Sequence, residues 1–257
     1  MRIICWNMGA GMGFKGAKHT AAWDWLNGQD VDVALLQEVV PLPDFTRNWG
    51  SVAWVGKYQG WGSAVLTKAP GYTTWQPTDQ QPWLQRVRGA VAVAQPPNDG
   101  GFWFASVHSA ASSFEHTNKE TPTWYADLPP RDGIMRCDDK EMWEIEPIAH
   151  EMAPVLAEKR FVLGGDLNSS RLFDSGKNTS NARLFDNLHA QGFIDLGTRH
   201  GVVEQQTYFK RNTRPFQLDY MFGDDQTNLA TSSMRALTDV AATLGLSDHA
   251  PIELVLN

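Results

Sequence analysis

Ten short apolar runs, each ended by turn-forming residues after four to eight positions, do most to limit what this chain can become. RIICWNM, VALLQEV, SVAWVGKY, GSAVLTK, GAVAVAQ, FWFASVH, RFVLGGD, QTYF, QLDYMF and PIELVLN are of strand length, and several alternate as a sheet with one buried face requires. Three stretches carry helical spacing. Thr20 can cap AAWDWLNGQ, and Asn181 can cap ARLFDNLHAQ, with Gly192 closing it. Asp138 can cap a segment bearing Met142, Ile145, Ile148, Met152, Val155 and Leu156, which Pro147 and Pro154 must kink or interrupt. So many strands with so few helices predict packed sheets with helices outside, not a doubly wound parallel fold.

The 257 residues are ample for a substantial core, and without a repeat or linker they read as one domain over 1–257. The longest unpatterned stretch, about 109–137, reads as a wall of a site. A net charge of −7 offers no broad basic face for nucleic acid. A polyanionic substrate stays possible, because a bound divalent cation adds positive charge that the count omits. Arg86 and Arg88, then Lys210, Arg211 and Arg214, form local basic clusters whose ordinary role is solvated surface charge. Eleven Trp is a high count, and Trp61, Trp75, Trp83, Trp103, Trp124 and Trp143 lie near loops, where packing is their commonest role and stacking an alternative. Cys5 and Cys137 make neither a disulfide framework nor a zinc signature. No apolar run approaches a membrane span and MRIICWNM reads as a strand, so a reducing cytoplasm is the expected compartment.

Polar residues gather where strands end. Asn7 closes the first run, Glu38 ends LLQE, and His108 ends FWFASVH. Asp166 and Asn168 follow RFVLGG, Asp219 sits inside QLDYMF, and Asp248 and His249 precede PIELVLN. Caps and turns explain most of these. Two resist. An unpaired Asp219 would be costly inside an apolar strand. GGDLN puts the polar Asp166 and Asn168 one residue apart directly after a buried strand, where Gly164 and Gly165 would permit close approach by a backbone or a ligand. Acidic oxygens and amides without a cysteine cluster suit a hard cation such as Mg²⁺, with Glu38 the best first ligand and Asn7 able to add an amide oxygen. The histidines suit proton transfer near neutral pH. Adjacent side chains of an extended segment point to opposite faces, so Asp248 is a poor partner for His249. Asp219 is the better one, which leaves Asp248 to face the metal.

Together CWN, LLQE, GSAVLTKAP, SVHSA, GGDLN, QLDYMF and SDHAPI resemble the endonuclease/exonuclease/phosphatase superfamily of DNase I-like fold, in the family's order and over nearly the whole chain. The resemblance implies an α+β fold, a four-layer αββα sandwich with two mixed β-sheets face to face. It also implies attack of water on a phosphoester, with Mg²⁺ as cofactor and Mn²⁺ as its substitute. Glu38 and Asn7 would bind the cation with Asp248 beside it. His249, held by Asp219, would act as base or stabilise the attacking water and the scissile phosphate. Asp166 would orient the nucleophile or manage a proton, and Asn168 would hydrogen-bond a phosphate oxygen. His108 would contact the phosphate or protonate the leaving oxygen.

The chain also departs from family patterns. Nonspecific DNA-cutting members carry an acid that pairs with the histidine matching His108, where this chain reads Gln59-Gly60-Trp61. Abasic-site repair members place a tyrosine at the position of His108, and the WCDR-type signature of inositol polyphosphate phosphatases is absent. The expected function is a phosphodiesterase on DNA or RNA, acting as a monomer, with Arg88 and the other basic residues following the phosphate backbone. A small phosphoester, such as a phospholipid head group, nucleotide or sugar phosphate, is the alternative that the acidic surface favours. A non-catalytic binding module would not require both histidines.

Overall fold

The computed structural model describes residues 1–10, 13–56, 60–87, 90–110, 144–174, 180–210 and 215–257. Among these, twelve strands follow in chain order: β1 (Arg2–Asn7), β2 (Val33–Val39), β3 (Ser51–Gly56), β4 (Gly62–Thr67), β5 (Thr73–Trp75), β6 (Ala90–Gln95), β7 (Trp103–His108), β8 (Phe161–Asp166), β9 (Ile194–Asp195), β10 (Asp219–Gly223), β11 (Thr231–Ala236) and β12 (Ile252–Leu256). They form two six-stranded sheets, ordered β11-β12-β1-β2-β4-β3 and β5-β6-β7-β8-β10-β9. Both are mixed, since β1 runs parallel to β2 and β7 parallel to β8 while the other pairs are antiparallel.

Alternation along the strands sorts the core into layers. Ile3, Cys5, Val33 and Leu35 of the first sheet pack on Phe104, Val162 and Met221 of the second, and this is the sandwich interior. The intervening residues Ile4, Trp6, Ala34 and Leu36 turn outward onto Trp23 and Leu26 of helix α1 (Ala17–Asn27). On the far side Leu163, Tyr220 and Phe222 meet Ile148, Met152, Leu184 and Leu188 from helices α2 (Ile145–Leu156) and α3 (Ser180–Ala190). The result is the expected αββα sandwich. At Gly164 the sheets approach closely, because a Cβ there would lie 2.9 Å from Leu35 Cδ1 and 3.1 Å from Cys5 Sγ. A Cβ on Gly165 would run into the Val107 carbonyl of the neighbouring strand. Both glycines serve protein–protein approach.

Several local expectations are corrected. Helix α1 begins at Ala17, and the Thr20 hydroxyl bonds back to the Gly16 carbonyl from within the first turn instead of capping it. Helix α2 begins at Ile145, with Asp138 and Met142 outside the described residues. Pro147 then falls in its first turn, where an N–H has no intrahelical acceptor, and Pro154 lies in its last. Helix α3 begins at Ser180, so Asn181 lies inside it and donates its backbone amide to Asp174 Oδ1 instead of capping, but the helix ends as predicted. Gly192 has φ +91°, and the Gly192 and Phe193 amides bond back to His189 and Leu188, which satisfies the terminal carbonyls. QTYF is no strand, for only Tyr208 makes isolated bridges, to Phe216 and His249. Asp219 begins its strand instead of interrupting it. The unforeseen β5, β9 and β11 are short or polar, and each lies at a sheet edge.

Candidate active site

The second sheet supplies its polar residues from a single rung. His108 of β7 is in register with Asp166 of β8, and Asp166 with Asp219 of β10. Each follows, or is followed by, residues whose alternation places it on the inner face, so three neighbouring strands project three titratable side chains to one place. All three are buried. Beyond β8 the chain turns through Asn168 at φ +49°, whose amide N–H bonds Asp166 Oδ1 at 2.8 Å and whose side chain donates to the Ser109 carbonyl at 2.8 Å.

The first sheet reaches the same place by an irregularity. In β2, Val33 and Leu35 face inward and Ala34 and Leu36 outward, so regular alternation would turn Gln37 inward and Glu38 outward. Pairing with β4 jumps from Leu36↔Ala64 to Val39↔Gly62, leaving two β2 residues opposite one. Glu38 sits in this bulge at φ +45°, a conformation that costs a non-glycine residue energy. The distortion brings its carboxylate to the site, where Oε1 accepts from Asn7 Nδ2 at 3.2 Å and lies 3.4 Å from His108 Nε2.

Asp166 Oδ2 is the focus. Asn7 Nδ2 donates to it at 2.9 Å, and the Nε2 atoms of His249 and His108 lie at 3.7 and 3.9 Å. Asn7 Oδ1 accepts from the Gly9 amide at 2.9 Å, so the amide nitrogen is what faces the carboxylates. His249 Nδ1 is 2.9 Å from Asp219 Oδ2. Its backbone is fixed as well: the amide donates to Ser247 Oγ, Ser247 donates to the Asn7 carbonyl, and the Trp6 indole donates to the His249 carbonyl. Asp248, half-buried beside it, has a buried Oδ1 without a hydrogen-bond partner.

Burial disfavours charge on the His249 ring, but Asp219 and Asp166 outweigh it and push its pKa up to about 10. Burial, reinforced by the Asp219 charge, raises Asp166 to about 6 against the pull of both histidines. His108 is likewise buried, and Glu38 and Asp166 raise its pKa despite that. Glu38 is held below the usual carboxylate range by His108 and Asn7, in spite of burial. Burial raises Asp248.

Among the described residues two groups of donors could hold a metal ion, Glu38–His108–Asp166 and Asp166–Asp219–His249, each with its atoms within 4.8 Å of one another. Among the described residues, buried Glu38 Oε2, Asp219 Oδ1 and Asp248 Oδ1 have no hydrogen-bond partner, so the pocket holds carboxylate oxygens that none of these residues satisfies. These donors fit a hard cation. Asp248 belongs to neither group, and Asn7 would present its oxygen only by turning its amide over and losing the Gly9 bond.

Arg88, Arg211, Arg214, Trp124, Trp143 and most of the 109–137 stretch lie outside the described residues, and Lys210 is exposed. Trp83 is buried, whereas Trp61 meets the His108 ring edge-on at 5.3 Å between centroids. Sequence reasoning missed an aromatic wall. Tyr208 packs on His249 at 5.0 Å and on Phe216 at 5.5 Å, and Phe216 meets the partly exposed Phe173 at 5.0 Å. The sequence signal was faint: three aromatics in separate turns. Gln37 and Ser106, both fully buried, were also missed.

A profile of the Endonuclease/Exonuclease/phosphatase family matches residues 4–249. No curated protein matches the chain in sequence. Among solved structures, a 3′-5′ exonuclease from Neisseria meningitidis superposes with a TM-score of 0.71 at 16% identity, covering 100% of both chains. An AP endonuclease from Archaeoglobus fulgidus gives 0.71 at 14%, covering 100% of this chain and 99% of its own. A structure described as the Neisseria 3′ phosphatase bound to a product DNA hairpin gives 0.70 at 16%, covering 100% and 99%. At such identities these likenesses establish the fold, and with the family match they place the protein: this chain belongs to the endonuclease/exonuclease/phosphatase family of phosphoester hydrolases, with the DNase I-like fold.

Proposed function

We propose that the protein is a divalent-metal-dependent phosphodiesterase acting on nucleic acid, with residues 1–257 working as one domain. The convergence of Asn7, His108 and His249 on one oxygen of Asp166, with Glu38 alongside, carries the reading. Glu38 would be the principal ligand of Mg²⁺ or Mn²⁺, with Asp248 and the Asn7 amide beside it. Bound there, the cation would neutralise charge on the phosphate and polarise the phosphorus centre.

The protein's own groups divide the remaining work. With Asp219 on Nδ1, a protonated His249 directs its Nε2–H at a phosphate oxygen and stabilises developing negative charge. Asp166, with its pKa raised towards neutrality, is suited to orient a water and take its proton. Asn168 has a second side-chain N–H beyond the one given to Ser109, available to a phosphate oxygen. His108, without an acid on the 59–61 stretch but facing Glu38 and Asp166, would contact the phosphate or the leaving oxygen. The Tyr208–Phe216–Phe173 wall suits a substrate with stackable bases, and Arg88 would contact its backbone phosphates. The net charge of −7 favours the second reading, a small phosphoester.

An activity screen with and without Mg²⁺ or Mn²⁺ tests this, across single- and double-stranded DNA, RNA, a generic phosphodiester and a phosphomonoester. Cleavage of polynucleotide should require metal, and His249→Ala should lower turnover by about 10²–10⁴-fold in a folded protein. Binding that weakens steeply with salt supports several phosphate contacts, and a flat response gives the small ester precedence. Metal-independent cleavage, or none on any substrate, overturns the reading.

A further inference from the structure

We propose that Gln37 and Ser106 are positioning residues whose hydrogen-bonded clasp between the two sheets holds the Glu38 bulge and sets the distance from Glu38 to His108. Gln37 Nε2 donates to Ser106 Oγ at 2.8 Å, and Ser106 Oγ donates to the Leu36 carbonyl at 2.7 Å. Gln37 and Leu36 belong to the first sheet, Ser106 to the second. Both side chains are fully buried between the sheets, beside the apolar side chains of the interior, where polar groups of this kind are costly unless paired.

The placement ties the clasp to the site. Leu36 is the last β2 residue in register with β4 before the bulge, so its carbonyl is gripped where the ladder fails. Glu38 lies two residues after Leu36 and one after Gln37, and His108 lies two after Ser106 on the same inner face. Glu38 Oε1 and His108 Nε2 stand 3.4 Å apart across the sheets. A left-handed glutamate persists only where its surroundings over-determine it. The β4 ladder is broken at Glu38, the β1 ladder runs on until the Met8 amide donates to the Gln37 carbonyl, and the clasp adds a constraint from the second sheet. Released, Glu38 can return to extended backbone and turn its carboxylate towards the helix layer.

The inference rests on Glu38 being a metal ligand, and the test separates the two ideas. Binding of Mn²⁺ alone is followed by the electron paramagnetic resonance of free Mn²⁺ in the full-length protein, beside thermal unfolding without metal. Glu38→Gln should remove the tight Mn²⁺ site. Ser106→Ala and Gln37→Met should each raise the Mn²⁺ midpoint about tenfold, as loss of support behind a ligand commonly does. The double variant should do no more than Ser106→Ala alone, because that change already removes both bonds of the clasp. Val33→Ala, at the other end of β2, should lower the melting temperature without moving the midpoint, a separation that general loosening of the core does not produce. Midpoints within about twofold of wild type in both clasp variants, with Glu38→Gln defective, overturn the clasp and leave the metal site standing. A wild-type midpoint in Glu38→Gln overturns the metal reading and the clasp with it.

Discussion

The two sheets deliver side chains to the same pocket by opposite means. In the second, His108, Asp166 and Asp219 occupy one rung of a regular ladder, and strand alternation alone aims them. In the first, regular alternation would fail, and Glu38 arrives because β2 carries an extra residue at φ +45°. His249 comes from the loop before β12 but is oriented by Asp219, so it works with the second sheet. The residues proposed to move or stabilise protons therefore stand on backbone without positive φ, where geometry tolerates little error. The principal candidate metal ligand stands on strained backbone, which the cation's own binding energy can help to hold.

The largest effect should come from the regular side. Asp219→Asn keeps the size of the side chain but removes the charge that sets the His249 tautomer and proton, so turnover should fall on the order of 10³–10⁴-fold. Under the same conditions the Mn²⁺ midpoint should scarcely change if Glu38, and not the Asp166–Asp219–His249 group, holds the tight metal as proposed. Steady-state turnover at saturating metal, beside a metal titration, checks both. A variant that loses metal affinity and keeps turnover once saturated would reverse the division of labour between the sheets.

Next in size is an opposed pH response of the metal-free protein. The folded-state pKa of His249, about 10, is above its unfolded value, so its contribution is complete below an unfolded pKa near 6.5 and is lost as pH rises through about 10. Glu38 is depressed, so its contribution is present above an unfolded pKa near 4.3 and is lost as pH falls through the folded value. Melting temperatures should fall on the order of 5 °C more between pH 6.5 and 10 in wild type than in His249→Ala. Glu38→Gln should change the acid side and, through His108, whose pKa Glu38 helps to raise, part of the alkaline side as well. Parallel curves for wild type and His249→Ala would show that the Asp219 pair does not store this energy.

The same contrast governs what could be read in advance. Strands whose apolar residues alternate or run unbroken were legible, and so were the polar residues at their ends, because burying such groups needs a reason. The His249–Asp219 distance agrees with simple alternation, which turns Asp248 and His249 apart. The Glu38 bulge was not legible, since an extra residue leaves no mark in VALLQEV. Nor was the role of Gln37 and Ser106, ordinary polar letters until the sheets are laid face to face. The aromatic wall was hidden for a related reason: Tyr208 and Phe216 meet across an isolated bridge and Phe173 ends a short 3-10 helix, segments whose nearness the sequence does not show. The edge strands β5, β9 and β11 carry too few apolar residues to show a period.

The smallest effect is the sharpest on the strained side. Glu38→Gly removes the carboxylate, an unpartnered buried Oε2 included, and places at φ +45° the one residue that adopts it without steric cost. Against this stand the contacts of Oε1 with Asn7 and His108 and the greater freedom of glycine in the unfolded chain. The terms nearly cancel, so stability without metal should stay within about 1 kcal/mol of wild type, while the gain in stability on adding Mg²⁺ should largely disappear. Chemical denaturation in chelator and in excess Mg²⁺ measures both. A loss of about 3 kcal/mol without metal would mean that the Glu38 side chain braces the bulge instead of straining it, and the difference drawn between the two sheets would fall.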